Sequence, residues 1–456
     1  MKNVLLILTD EHRFDCTGFN GHRYVRTPHL DRLAASAVNY RRHTCSTPLC
    51  TPARASLLTG QYPRTHGAVS VGYVLDPQTP TLATWLGRAG YTCGYFGKSH
   101  LEPELTGFVE RMDASKPYYG FRRFALSEDN LIGPYLDWIR REHPQWEEAA
   151  WSQANEACQK PPIHDNPERL DAVYASPLPV ELTQSAWITQ QTTEFIREQT
   201  ARARPYFAVC SYVPPHHPWT PPEPYTSMYD PATLPVPSRK PADHRWPWPV
   251  GAYSWQPTLL DRELQRMTAA YYALITMLDD CIGRLLATVS DETIVVFTSD
   301  HGDYNGDHGL IRKGGVMYDN LLRVPLLIRV PGQQAGCSDV LTQHEDLVPT
   351  LLDLLGLPKP GSIQGQPFSR RRHVFFECPG PAGRPGPCGV SNAEWKLLHY
   401  PNEHGFVLVN SDTDPAEDNN LAGDPRVAAV ESELKQALFQ WLLTTPSHRA
   451  PKTAGW

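Results

Sequence analysis

Leu264 to His301 reads LQRMTAAYYALITMLDDCIGRLLATVSDETIVVFTSDH, and two periodicities meet in it. Met267, Tyr271, Leu274, Leu278, Ile282 and Leu285 recur at the spacing that gathers side chains on one face of a helix, so a long helix is expected over about Leu264 to Ala287. Thr293 to Thr298 is then a β-branched, apolar run without alternation, the pattern of a strand buried on both faces. The run stops at Asp300 and His301. A helix that feeds a doubly buried strand, which in turn ends in ionisable residues, is the repeating unit of a parallel α/β sheet.

The same unit recurs outward from this stretch. Val4 to Ile7 reads as a buried strand, and Thr27-Pro28 opens a helix as N-cap and first-turn proline, with Leu30, Leu33, Ala34, Ala37 and Val38 on one face. Leu82, Trp85, Leu86 and Ala89 mark a helix that stops at Gly90 and feeds a strand at Tyr91 to Phe96, and Tyr206 to Tyr212 is a further strand. The alternation predicts an α/β fold whose large, mostly parallel sheet is covered on both faces. Beyond a helix at about Asp346 to Leu355 come three short strands, Val374 to Glu377, Trp395 to Tyr400 and Phe406 to Val409, and an amphipathic helix around Val430 to Leu443. Residues 1–365 are therefore read as the main, catalytic domain and 366–456 as a small C-terminal α+β subdomain with an antiparallel sheet. Two stretches without clear periodicity, near 102–180 and 214–258, are read as insertions; such long loops in a compact domain are commonly functional. No internal repeat occurs.

Composition narrows the function. Forty-two Lys and Arg against 49 Asp and Glu leave a net charge of −7 in 456 residues. Without a long basic run, this argues against nucleic acid and anionic membranes as partners. No segment approaches the roughly 18 apolar residues of a membrane span. The first apolar run, Val4 to Leu8, is too short for a signal-peptide core and leads straight into Asp10, Glu11, His12 and Arg13, so a cytoplasmic protein is expected. The ten irregularly spaced cysteines are then expected to be mostly buried thiols. Proline, with 44 residues, stands at roughly twice its usual share of about 5%, which points to stiff loops.

Ligands of an open parallel sheet bind beyond the carboxyl ends of its strands. Four predicted strands run into ionisable pairs there: Asp10 and Glu11, Lys98 and His100, His216 and His217, Asp300 and His301. Any one pair alone reads as a solvated loop; four obeying one rule point to a shared site. Asp10, Glu11, Asp300 and His301 offer hard oxygens and an imidazole, a donor set for a divalent cation of the calcium, magnesium or manganese type. An EF-hand starting at Asp303 fails, because His308 stands where Gly is needed and Gly314 where Glu is needed; Asp303 to Gly309 reads as a turn that shapes the site. In Pro48 to Gly60, Pro52 suits a first helical turn, Leu57 and Leu58 give an apolar face and Gly60 a stop. Cys50 thus lies at a helix N-terminus, which favours anions, and Arg54 can reach back toward it. A lone Cys in such a place also reads as core.

Cys50-x-Pro52-x-Arg54 followed by Leu57-Leu58-Thr59-Gly60 resembles the signature of the type I sulfatases, in which the Cys is converted to Cα-formylglycine. Gly97-Lys98-Ser99-His100, His216-x-Pro218, Asp300-His301-Gly302-Asp303, Gly309 to Lys313 and Asp414-Pro415-x-Glu417-x-x-Asn420-Leu421 follow in the family's order. The family shares the alkaline phosphatase-like αβα sandwich with phosphonate monoester hydrolases that use the same formylglycine. The resemblance implies a sulfatase acting on a sulfated sugar or similar small alcohol, with phosphonate or phosphodiester hydrolysis as the alternative. It implies a metal held by Asp10, Glu11, residue 50, Asp300 and His301. Calcium is the first expectation, with manganese or zinc drawn in by the nitrogen ligand. Hydrated formylglycine at position 50 would lose a proton to Asp300 and attack sulfur, giving a covalent sulfo-enzyme. His216 or Lys313 would protonate the leaving oxygen, and His100 would take the second hydroxyl's proton to expel sulfate. Arg54 and Lys98 would hold the formylglycine, with Lys98 and Lys313 on the sulfate oxygens. His217 would be a further substrate contact. A formylglycine-generating enzyme is an implied partner, and the oligomeric state stays open, a homo-oligomer included. Two departures stand out: Glu11 replaces the shorter oxygen ligand more usual in the family, and Asp300-His301 replaces the Asp-Asn of many arylsulfatases, as in phosphonate monoester hydrolases. Trp138, Trp219, Trp246, Trp248 and Trp255 in the insertions are candidate sugar-stacking walls.

Overall fold

The computed structural model describes residues 1–103, 115–154, 170, 172–238, 259–368, 371–380, 386–401 and 405–448. Among them an eight-stranded sheet runs in the order β5-β4-β6-β1-β7-β8-β2-β9. Its strands are β1 (Val4–Thr9), β2 (Val38–Tyr40), β4 (Thr92–Gly97), β5 (Arg123–Leu126), β6 (Tyr206–Ser211), β7 (Ile294–Ser299), β8 (Leu326–Arg329) and β9 (Gly336–Ser338). A small parallel pair, β3 (His43–Thr44) and β10 (Thr342–Gln343), lies beside it. Only the pairings of β8, with β7 and β2, are antiparallel within the large sheet. The core strands β4, β6, β1 and β7 are parallel, as their unalternated apolar runs require.

Both faces are covered. Successive side chains of a strand point to opposite sides, so Val4, Leu6 and Leu8 pack on one layer and Leu5 and Ile7 on the other. The first layer contains α2 (Cys50–Thr59), α3 (Leu82–Arg88) and α7 (Leu347–Leu354). The second contains α1 (Pro28–Ala34), α4 (Pro134–Glu142), α5 (Gln184–Ala201) and α6 (Asp261–Leu286). The long amphipathic helix read from the sequence is α6, extended by three residues at its start. The sequence reading lacks α4 and β5 within the first insertion, α5, and the short strands β2, β3, β8, β9 and β10; α1 stops at Ala34, and Val38, read as a helix-face residue, opens β2 instead. The edge strand β5 is short and carries exposed Arg123, so it lacks the continuous apolar run of its neighbours.

A second sheet is antiparallel, in the order β11-β12-β13-β14: β11 (Val374–Glu377), β12 (Cys388–Ser391), β13 (Trp395–Tyr400) and β14 (Gly405–Asn410). It packs on α8 (Ala428–Thr444) through Leu397, Leu408, Leu434, Leu438 and Trp441. Here β12 is the strand the sequence reading lacks, since Cys388-Gly389-Val390-Ser391 carries a single strong strand former. The described cysteines are all unpaired thiols, buried except Cys337 and Cys388, and Cys158 lies outside the described residues. No described helix is long and apolar enough to cross a membrane.

Register brings the strand ends within one residue of level. Thr9 pairs with Ser299, and Leu8 and Gly97 both pair with Ser211, so Asp10 and Asp300 leave the sheet at the same height and Lys98 one residue below them. Gly97 makes the last step possible. Its φ is +99°, and a Cβ there would sit 1.8 Å from the Ser211 carbonyl oxygen.

Candidate active site

Cys50 is the first residue of α2, and its Sγ is the centre on which the strand-end residues converge. Sγ lies 3.6 Å from Asp10 Oδ1, 3.3 Å from His301 Nε2, 4.0 Å from Lys98 Nζ and 2.6 Å from Lys313 Nζ. One turn along the helix, Arg54 is fully buried and spends all three guanidinium nitrogens. Its Nε donates to Asp300 Oδ2 at 2.8 Å and one NH₂ to Asp10 Oδ2 at 2.9 Å. The other donates to Lys98 O and Ser211 Oγ, both at 2.8 Å. The planar fork thus ties four strand ends together, a task for which a lysine has the wrong shape.

Charge is uneven among the carboxylates. Burial resists ionisation of Asp10, but Lys98 at 2.7 Å and Arg54 outweigh it and hold its pKa well below the ordinary value. Asp300 moves the other way, raised by burial and by the charge of Asp10 despite Arg54. Two buried carboxylates within reach of one another cannot both ionise freely unless a cation joins them. Donor atoms of Asp10, Cys50, Asp300 and His301 lie within 4.8 Å of one another, and all four residues are buried. The His301 Nδ1–H points to the Gly302 carbonyl at 2.8 Å, which leaves the Nε2 lone pair directed at the cluster, the tautomer a metal ligand needs. The donors therefore fit a divalent cation, and the raised Asp300 carboxyl is the group such a cation would relieve.

Glu11 faces the other way. Its φ is +60°, its carbonyl accepts from Tyr271 OH, and its carboxylate lies with Lys313 (2.9 Å), His216 Nε2 (3.4 Å) and His217 Nδ1 (3.3 Å). Its donors group with His216 and His217, apart from the Asp10 cluster, although its N–H donates to Asp300 Oδ1 at 3.3 Å. Burial holds His216 neutral, with a pKa near 3 in spite of Glu11. Lys313 keeps its proton: burial opposes the charge, but Cys50 and Glu11 raise its pKa well above normal.

Three further acids belong to this site. Glu128 Oε1 accepts the N–H groups of Ser99 (2.9 Å) and His100 (3.1 Å), which fastens His100 at φ +52°. Asp129 pairs with Lys98 Nζ at 2.6 Å. Asp303 is hydrogen bonded to Glu11, and burial together with that neighbour pushes its carboxyl well up. Glu128 and Asp129 follow the end of β5, so the strand-end rule would have found them had β5 been recognised. Trp219 is fully buried in the core beside His217, not a wall of the site. Trp138 is half-buried, edge-on to His143. Trp246, Trp248 and Trp255 lie outside the described residues.

A doubly covered parallel sheet with buried carboxylates, an imidazole and two lysines around one helix N-terminus defines a hydrolase of anionic esters. Comparison with known proteins narrows the class. The sulfatase family model matches residues 2–357, and the model for the C-terminal part of N-sulphoglucosamine sulphohydrolase matches residues 306–442. The chain belongs to the sulfatase family of sulfuric ester hydrolases. It is 30% identical to an arylsulfatase of Clostridium perfringens over 80% of this chain and 76% of the relative. It is 29% identical to the multifunctional alkaline phosphatase superfamily protein PehA of Trinickia caryophylli, covering 97% of this chain and 95% of that one. Among solved structures, the phosphonate monoester hydrolase of Silicibacter pomeroyi superposes with a TM-score of 0.78 at 25% identity, with full coverage of both chains.

Proposed function

We propose that the protein hydrolyses the sulfate ester of a sugar or similar small alcohol, with residue 50 acting as formylglycine. The observation that carries this reading is the position of Cys50 Sγ, within 4 Å of two lysines, an imidazole and a carboxylate. The thiol itself is a poor nucleophile there, because burial and then Asp10 push its pKa well above normal. The hydrated aldehyde would supply two hydroxyls on one carbon, one to attack sulfur and one to release sulfate. A divalent cation held by Asp10, Asp300, His301 and the residue-50 oxygen, calcium before manganese or zinc, would supply Lewis acidity, whereas Glu11, expected among the ligands, lies with His216, His217 and Lys313 instead. The C-terminal match to an amino-sugar sulfohydrolase supports a carbohydrate substrate.

The chain's own groups supply the remaining steps. Asp300, whose raised pKa suits it to take up a proton, accepts one beside residue 50. Lys98 and Lys313 neutralise the sulfate oxygens as point charges. As the S–O bond to the alcohol breaks, the leaving oxygen takes a proton from Lys313 or from His216. His216 serves as the acid only once the substrate anion joins Glu11 beside it. His100, fastened by Glu128, receives the proton whose loss releases sulfate.

Mass spectrometry of the peptide around position 50, from a host with the maturation enzyme, should show the aldehyde in active protein. Fully active enzyme with intact Cys50 would overturn the reading. The second reading, a phosphonate monoester hydrolase, draws on the Asp300-His301 pair and on the Silicibacter likeness. Parallel turnover of an aryl sulfate and an aryl phosphonate decides: sulfate preference supports the first, phosphonate preference the second.

A further inference from the structure

Lys313 is followed by Gly314 and Gly315, two residues that give a loop great freedom unless the backbone on either side is fixed. It is fixed on both sides. Upstream, the Tyr304 N–H donates to Arg312 O at 2.9 Å. Downstream, Tyr304 OH donates to Val316 O at 2.9 Å and accepts the Val316 N–H at 3.2 Å. The next two pins come from the second sheet. From β13, Tyr400 OH accepts the Met317 N–H at 3.2 Å, and Lys396 Nζ, 1% exposed, donates to Met317 O at 3.0 Å. Glu417, in the turn after β14, accepts the Asp319 N–H at 2.7 Å and forms a short ion pair with Lys396.

The turn is itself fastened. Asp414 accepts the N–H of Asn419 at 2.8 Å, and Asn420 Oδ1 accepts the Leu408 N–H of β14 at 3.0 Å. Glu417 occupies the left-handed region at φ +58°, a conformation costly for a residue with a side chain and one that persists where its surroundings enforce it. The Asp414-Pro415-x-Glu417-x-x-Asn420-Leu421 segment, which bonds to β13, β14 and Asp319, thereby acquires a task.

We propose that Glu417 and Lys396 are positioning residues for the reaction, a latch by which the antiparallel sheet sets the reach of Lys313 to residue 50. The proposal rests on the role given above to Lys313. A displacement of about 1 Å at a catalytic group can cost about 10²-fold in rate, so Glu417→Ala should lower kcat for an aryl sulfate by about 10- to 100-fold. The readout specific to a latch is a double-mutant cycle with Lys313→Ala. Once Lys313 is gone, adding Glu417→Ala should cost no more than about twofold, since the group it positioned is absent. Glu417→Gln, which keeps an acceptor for the Asp319 N–H, serves as the folded control if the alanine variant is unstable; its loss should be smaller and vanish in the same way. Losses that multiply in the cycle, or Glu417 variants at full activity beside an impaired Lys313→Ala, would overturn the latch alone. Lys313→Ala at full activity would overturn the role of Lys313, and the latch with it.

Discussion

The two walls of the site are built differently. One is borne by the sheet and α2: Asp10, Cys50, Arg54, Lys98 and Asp300, fully buried and locked by the Arg54 fork, with Asp10 and Asp300 level through strand register. The other is borne by loops: Glu11, His216, His217 and Lys313, held by a left-handed residue and by side chains from distant elements. The sheet-borne wall surrounds the residue proposed to attack sulfur, a task common to every substrate of the family. On the proposed function, the loop-borne wall would face the leaving alcohol, the part of a substrate that varies, with Lys313 reaching across to the sulfate. Strands and a helix would then hold the shared chemistry, while fastened loops would shape specificity.

That division can be broken by experiment. Cys50→Ala should reduce kcat by at least about 10⁴-fold for every substrate, whatever its leaving group; a loss confined to poor leaving groups would blur the two walls. His216→Ala should cost about 10²–10⁴-fold, and the loss should grow with the pKa of the leaving alcohol in a series of aryl and sugar sulfates. A constant loss across the series would remove His216 from proton transfer. Arg54→Ala should cost about 3–5 kcal/mol of stability, because it removes the guanidinium partner of buried Asp300 and leaves Asp10 only Lys98; denaturant melts test this, and an unchanged midpoint would show that the fork does not hold the wall together.

A last effect is confined to acid pH. His66 is buried, its Nδ1 accepts the Ala68 N–H and its Nε2 meets Ser56 Oγ of α2, and burial lowers its pKa from 6.5 to about 3. The unfolded chain therefore gains a proton as pH falls below about 6.5 while the folded chain does not. Stability should decline from pH 6.5 toward 3, by up to about 1.4 kcal/mol per pH unit from this group. Melting temperatures of His66→Gln should fall less steeply over that range; identical slopes would remove His66 from the acid response.

The sequence discloses the sheet-borne wall more fully than the loop-borne one, for a physical reason. Val4 to Leu8 and Thr293 to Thr298 are apolar because both faces are buried, so the polar residues that end them stand out. Edge strand β5 is covered less, its pattern fades, and Glu128 and Asp129 fade with it. The direction of Glu11 was not legible at all, since it depends on a left-handed backbone stabilised by Tyr271 from α6, about 260 residues away. Trp219 shows the converse: a tryptophan in a proline-rich loop suggests a binding surface, yet its bulk serves the core.

The burial of α2 has a consequence for the order of events in the life of the chain. Every residue from Cys50 to Thr59 is shut away from solvent beneath the sheet and α7. No second enzyme can reach a side chain at that depth once the sheet has closed. If residue 50 is to become an aldehyde, the change must precede folding, and a chain that folds first stays a cysteine protein for as long as it remains folded.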